Sequence, residues 1–199
     1  MNTSDCLLLI FIKNPHPGKV KTRLGATIGD EAAVEVYKKL MAITREASLH
    51  VDCDRHLHYG DYINTDDDWN PNHFEKHLQV DGDLGARMHH AFDLGFRSGY
   101  KKVMIIGSDC PDMDAGLMEE AFKSLDEHNL VIGPAEDGGY YLLGMSKPFE
   151  LFSDMQWSTE SVYEQTLERA KKQNASIATM PVLSDLDTIE DLEKYPHLQ

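Results

Sequence analysis

Cations are scarce in this sequence relative to acids. Nineteen Lys and Arg face 34 Asp and Glu, a formal net charge of −15. A surface of that sign repels a phosphate backbone, so nucleic acid is not expected as a partner. Cysteine is scarce too. Cys6, Cys53 and Cys110 have no metal-like spacing, and an odd number cannot all pair. Free thiols in a reducing compartment follow, hence an expected cytoplasmic location. No apolar run is long enough to span a membrane, so no membrane partner is expected. The run Leu7 to Ile12 follows Asp5 rather than a basic stretch, and reads as a first strand, not a signal peptide. Repeats, low-complexity tracts and a Walker A loop are missing. The length of 199 residues then suits a single domain over 1–199.

What is present alternates between strand and helix signals. Val103 to Ile106 is a short apolar run rich in β-branched residues, read as a strand buried on both faces in the middle of a parallel sheet. Further strands are expected at Cys6–Ile12, His56–Tyr59, His77–Val80, Leu130–Pro134, just after Gly139, and Ile177–Val182. Helices are expected over Asp30–Leu49, Leu84–Phe96 with Asp83 as cap, Asp114–Glu127 and Trp157–Gln173, with one helical turn at Phe149–Phe152. Leu84, Met88, Ala91, Phe92 and Gly95 form the expected buried stripe of the second helix. Thr188 with Asp191 fits a capping box. The alternation predicts an α/β fold: a three-layer α/β/α sandwich with a mostly parallel sheet.

Residues with chemical potential cluster just after the strands. Gly107 ends the Val103–Ile106 strand and Asp109 follows, where open α/β sheets bind ligands. The alternative is a turn or cap role, for which Asp114 is better placed. After the first strand, Lys13, Lys19, Lys21 and Arg23 surround Gly18 in a loop with two prolines. Backbone N–H groups and cations there suit phosphate, although a solvated cationic turn has the same composition. Gln79 has an amide that could read a base edge or satisfy nearby backbone. Gly82 allows close backbone approach, and Arg87 could reach a phosphate. Glu136 and Asp137 precede Gly138-Gly139, which fits either a proton acceptor beside a ligand loop or a plain hairpin turn. Asp185 and Asp187 point the same way on an extended chain and could serve a hard cation. His56 and His58 share one face of their strand, read as a solvated polar face because no third metal ligand is evident nearby.

Five stretches in order resemble the GT-A-fold transferases, which include nucleotide-sugar glycosyltransferases and related nucleotidyltransferases. They are Phe11-Ile12-Lys13 through Lys19-Val20-Lys21-Thr22-Arg23-Leu24, Gly82-Asp83-Leu84-Gly85-x-Arg87-Met88, Gly107-Ser108-Asp109-Cys110-Pro111, Gly133-Pro134-Ala135-Glu136-Asp137-Gly138-Gly139-Tyr140, and Asp185-x-Asp187-Thr188-x-x-Asp191-Leu192. The match is nearest to a bacterial group of GT-A-type nucleotide-diphospho-sugar transferases, and the basic first loop also resembles phospholactate guanylyltransferase-type enzymes. The resemblance implies that the first loop holds the nucleotide phosphates, and Gln79, Gly82 and Arg87 are the further expected nucleotide-binding residues. It implies Mg²⁺ or Mn²⁺ on Asp109, Asp185 and Asp187. Asp137 or Glu136 would act on the acceptor, with Gly138 and Gly139 in the acceptor loop. The glycosyltransferase Asp-x-Asp pattern is not reproduced at Asp109, which Ser108 precedes and Asp112 follows. The expected reaction is glycosyl transfer from a nucleotide-diphospho-sugar to an acceptor hydroxyl of a small molecule. The alternative is attack of a phosphorylated small molecule on a nucleoside triphosphate, releasing pyrophosphate. A non-catalytic nucleotide-binding protein is the third reading.

Overall fold

The computed structural model describes residues 4–199; residues 1–3 of the expected 1–199 domain lie outside it. In chain order the elements are β1 (Cys6–Ile12), α1 (Thr22–Ile28), α2 (Asp30–Leu49), β2 (Asp54–Tyr59), β3 (Glu75–Leu78), α3 (Leu84–Arg97), β4 (Lys102–Ile106), α4 (Ala115–Ser124), β5 (Leu130–Pro134), β6 (Tyr140–Met145), α5 (Val162–Lys172), β7 (Ile177–Thr179) and α6 (Ile189–Glu193), with a final 3₁₀ turn at Pro196–Leu198. The strands form one sheet in the order β3-β2-β1-β4-β6-β5-β7. All neighbours are parallel except β6, which runs against both β4 and β5. The short connection after Pro134 makes β5 and β6 a hairpin, and a hairpin can only be antiparallel. β4 is therefore not in the middle of a wholly parallel run: β1 pairs with it in parallel and β6 in antiparallel.

The period of two along each strand divides the core between the two faces. Leu8, Ile10 and Ile12 of β1 and Met104 and Ile106 of β4 face the layer that holds α2 and α4. Leu7, Leu9, Val103 and Ile105 face Met88, Ala91 and Phe92 of α3 and Ala170 of α5. This is the expected three-layer sandwich with a mostly parallel sheet. A smaller cluster joins α1, α2 and α6 through Leu24, Val36, Leu40, Leu186 and Leu192.

Several expectations shift. β3 begins two residues earlier than the expected strand, and β7 stops at Thr179, two residues before Pro181 removes a backbone donor. Phe149–Phe152 is not helical. Phe149, Leu151 and Phe152 are all buried, and the Arg169 guanidinium satisfies the carbonyls of Leu151 and Ser153 that a helix would otherwise use. α5 starts at Val162 rather than Trp157, because Ser158 takes a left-handed φ of 61° that interrupts a helix. α4 ends at Ser124 rather than Glu127. Leu84 at the start of α3 is exposed rather than buried. His56 and His58 are buried rather than solvated, under Tyr100 and beside Phe11.

Candidate functional site

A cavity of about 700 Å³ opens beyond the carboxyl ends of β1, β2, β3 and β4. Antiparallel β6 contributes its amino end, so Gly139, Tyr140 and Tyr141 reach the same mouth. Lys13 and the loop 19–23 form one wall. Gln79, Gly82, Asp83, Leu84 and Arg87 form another, and Trp157 to Thr159 pass over the α3 side. Asp109, Asp137, Asp185 and Asp187 complete the lining.

The floor is an ion cluster. Lys21 adopts a left-handed φ of 47° at the start of α1, and its side chain is only 3% exposed. Its Nζ stands 3.2 Å from Asp109 Oδ1 and 2.9 Å from Asp187 Oδ1, and Arg23 pairs with the other oxygen of Asp187. Burial pulls the Lys21 pKa down, but Asp109 and Asp187 together raise it above its ordinary value. Burial likewise works against the Asp187 carboxylate, yet Lys21 and Arg23 hold it below the usual range. Asp185, a neighbour without such a partner, is pushed up to about 7 by burial and then by the Asp109 charge.

Local packing explains why segments far apart in sequence meet here. The Leu186 N–H donates to the Asp109 carbonyl at 3.0 Å, and the Leu186 side chain is fully buried against α1 and α2. Asp185 and Asp187, on either side of it, turn towards the cavity. Asp191 completes the α6 capping box and also accepts from the Asp187 N–H at 3.1 Å. Below Asp109, the Tyr37 hydroxyl lies 3.0 Å from Ser108 Oγ and accepts from the Lys13 N–H at 3.1 Å. Tyr37 and Ser108 thus join the loop after β1 to the loop after β4. The helical period marks Tyr37 only as core, and Ser108 enters the sequence reading only within the Gly107-Ser108-Asp109-Cys110-Pro111 stretch, with no role of its own. Trp157 also lines the cavity without a sequence signal, and Tyr140, which ends one of the five stretches, lines it with no role assigned from sequence.

The expected site residues are not all brought together. Lys13, Lys19, Lys21, Arg23, Gln79, Gly82, Arg87, Asp109, Asp137, Gly139, Asp185 and Asp187 line the cavity. Gly18, Glu136 and Gly138 do not. The exposed Glu136 carboxylate lies 3.8 Å from Lys194, and its N–H is used by the Leu183 carbonyl. Gly138 has φ of 85°, and a Cβ there would lie 2.2 Å from the Glu160 carbonyl oxygen; close packing, not ligand approach, requires this glycine. Asp137 accepts from the Gly139 N–H at 2.9 Å and so closes its own turn while facing the cavity. The Gln79 amide donates to the His58 carbonyl at 2.9 Å, the backbone role rather than a free base-reading one. Arg87 is tied to the Gly82 carbonyl at 3.0 Å. Among the described residues, the ammonium groups of Lys13 and Lys19 have no ion-pair partner.

A family profile described as uncharacterized protein conserved in bacteria (DUF2064) matches residues 43–159. The chain belongs to this family. This DUF2064 member is similar over 96% of its length, at 34% identity and a TM-score of 0.89, to 85% of a candidate nucleotide-diphospho-sugar transferase from Desulfovibrio desulfuricans G20. The inositol-1-phosphate CTP transferase of T. maritima shares the fold at 13% identity and a TM-score of 0.56, with 96% and 94% of the two chains covered. A Mycobacterium tuberculosis H37Rv protein solved as a complex with manganese does so at 11% identity and 0.53, covering 96% and 97%. No curated protein matches the sequence. The architecture is thus of the GT-A type, shared by catalytic transferases of glycosyl and nucleotidyl groups.

Proposed function

We propose that this chain is a metal-dependent nucleotidyltransferase, coupling a nucleoside triphosphate to a phosphorylated small molecule with release of pyrophosphate. The observation that carries this reading is the pair of unpartnered ammonium groups, Lys13 and Lys19, in a cavity floored by carboxylates, on a protein of net charge −15. Cations left unpaired amid so much acid suit an incoming polyanion, and a triphosphate offers more charge than a nucleotide-sugar. The nucleotidyl-transferring relative of the same fold supports the same choice. In the reaction, a phosphate oxygen of the acceptor forms a bond to the α-phosphorus. The bond from that phosphorus to the bridging oxygen breaks, and pyrophosphate leaves with the electron pair.

Asp109, Asp185 and Asp187 offer the oxygen donors that Mg²⁺ or Mn²⁺ takes, and they would hold such an ion once the Lys21 ammonium between Asp109 and Asp187 gives way to it. Burial first, and then the Asp109 charge, push the Asp185 carboxyl up, an environment that a divalent cation would relieve. When bound, such an ion supplies charge neutralisation at the phosphates. The chain's own residues do the rest. Lys13 and Lys19 bind the β- and γ-phosphates, and until the ion binds Lys21 and Arg23 keep Asp109 and Asp187 in position. Asp137, which lines the cavity, orients the acceptor. Positioning and charge stabilisation provide most of the acceleration in this kind of reaction. We assign the protein to the cytoplasm, on its three free thiols. No described helix is long and apolar enough to cross a membrane.

Glycosyl transfer is the second reading, supported by the description of the Desulfovibrio relative. A thermal-shift screen of triphosphates and nucleotide-sugars with Mg²⁺ or Mn²⁺ separates the two. A ligand at a hundred times its dissociation constant stabilises by about 2.7 kcal/mol. A metal-dependent shift with one triphosphate, followed by pyrophosphate release with phosphorylated acceptors, is the expected result. A shift with a nucleotide-sugar alone overturns it in favour of glycosyl transfer. Tight triphosphate binding with no pyrophosphate release makes the chain a binding protein. Asp109→Asn should abolish turnover while the melting temperature stays near that of the parent.

A further inference from the structure

A second group of ligating side chains lies on the α3 side of the sheet, outside the cavity. β2 and β3 pair in parallel with His56 opposite Glu75 and His58 opposite His77. Alternation places all four side chains on one face. Glu75 Oε2 stands 3.6 Å from His56 Nε2, and Glu75 Oε1 stands 3.1 Å from His77 Nε2. One nitrogen of each histidine and one Glu75 oxygen lie within 4.8 Å of one another. The ring centroids of His56 and His77 are 4.5 Å apart, and His58 stacks on His77 at 5.0 Å.

Two further observations point to a ligand. His56 Nδ1, His58 Nε2 and His77 Nε2 are buried and lack a hydrogen-bond partner. The Glu75 carboxylate near His77 makes no hydrogen bond to its Nε2. Three orphaned nitrogens in one patch are costly unless something else takes their lone pairs. A smaller cavity of about 460 Å³, lined by His56, Glu75, His73 and Tyr100, opens beside them and gives an ion and water a route in.

We propose that His56, Glu75 and His77 form a divalent-cation site separate from the aspartate cluster, taking Zn²⁺ or an ion of similar softness. Two imidazoles and a carboxylate suit Zn²⁺, with bonds of about 2.0–2.2 Å and a fourth position open to water. Burial disfavours the charged form of both rings, and the neutral imidazole is the form that binds a metal. β3 is a four-residue edge strand, and the ion clips it to β2. Gln79 follows β3 directly into the larger cavity, so the clip also fixes that wall.

The test is Zn²⁺ titration of chelator-stripped full-length protein by calorimetry, with Co²⁺ absorption as a spectroscopic check. The proteins are the parent, Glu75→Gln, His77→Gln and Asp109→Asn. Glu75 is largely exposed, so its variant keeps the packing. The parent and Asp109→Asn should both bind Zn²⁺ and melt higher with it. Glu75→Gln and His77→Gln should lose affinity by about tenfold or more, at least what loss of an outer-shell partner costs. The proposal is overturned by an absent Zn²⁺ response in the parent, or by unchanged affinity in Glu75→Gln. A response lost only in Asp109→Asn also overturns it, because the ion then sits on the aspartates.

Discussion

Lys21 shows how much a single residue depends on chain far away. In sequence it is one of four cations in a basic loop and reads as a phosphate ligand. In the fold its ammonium is buried between Asp109 and Asp187, the latter 166 positions later. No local pattern distinguishes a buried lysine from a solvated one, because the burial comes from a segment at the other end of the chain. Lys21→Met keeps the stem and removes the charge. It should destabilise the fold by about 2 kcal/mol, less than the 3–5 typical of a fully buried pair because Asp109 and Asp187 are open to water. Urea unfolding measures this, and an unchanged midpoint means that the cluster does not hold the floor together. Asp185 gives a pH-dependent prediction. Its folded pKa of about 7 lies above its ordinary 3.8, so the native state holds the proton more tightly than the unfolded state. The stability it contributes is fully present below pH 3.8 and is lost as pH rises through 7. The melting-temperature gain of Asp185→Asn over the parent should therefore grow between about pH 4 and pH 7 and level off above. A gain that shrinks over that range means that the carboxyl is not raised.

Among elements, the helix starts with a side-chain cap were legible, and so was α2, which has no side-chain cap but carries Asp30 and Glu31 in its first turn. Asp83, Asp114 and Thr188 each accept from a backbone N–H in the first turn of their helix, and all three starts were readable from sequence. α5 begins at Val162, its N-cap Ser161 makes no side-chain cap bond, and its start was misplaced. α6 matters to the site although it has only five residues. Its capping box accepts the Asp187 N–H as well as that of Thr188, so one carboxylate of the floor is held by the helix start. Thr188→Ala should cost about 1 kcal/mol, the usual loss for a cap. It should also weaken metal-dependent nucleotide binding, because Asp191 then has one partner fewer to hold it against Asp187. The two readouts are urea unfolding and nucleotide titration with Mn²⁺. A stability loss with unchanged nucleotide affinity separates α6 from the site.

At the scale of the molecule, the site was legible because parallel strands gather their carboxyl ends on one side. The stretches after β1, β3 and β4 fall together for that reason alone. The reversal of β6 was not legible, since a Gly-Gly stretch fits a ligand loop as well as a hairpin, and it is this reversal that brings Gly139 and Tyr140 to the same mouth. The histidine face was missed for a related reason: His56 and His58 show their spacing, but Glu75 and His77 become neighbours only through strand pairing. Charge is the property that acts on the whole chain at once. A net −15 makes the compact state repel itself, and salt screens that repulsion. Going from about 0.01 M to 0.15 M ionic strength shortens the screening length from about 30 Å to 8 Å, less than the width of the domain. NaCl over that range should raise the melting temperature at pH 8. Near the isoelectric point of about 4.9 the net repulsion is gone and the remaining ion pairs, such as those of Lys21, are weakened by the same screening. There the salt effect should vanish or reverse. Melting curves in a NaCl series at the two pH values decide it, and a salt-independent melting temperature at pH 8 shows that local pairing already compensates the excess of acid.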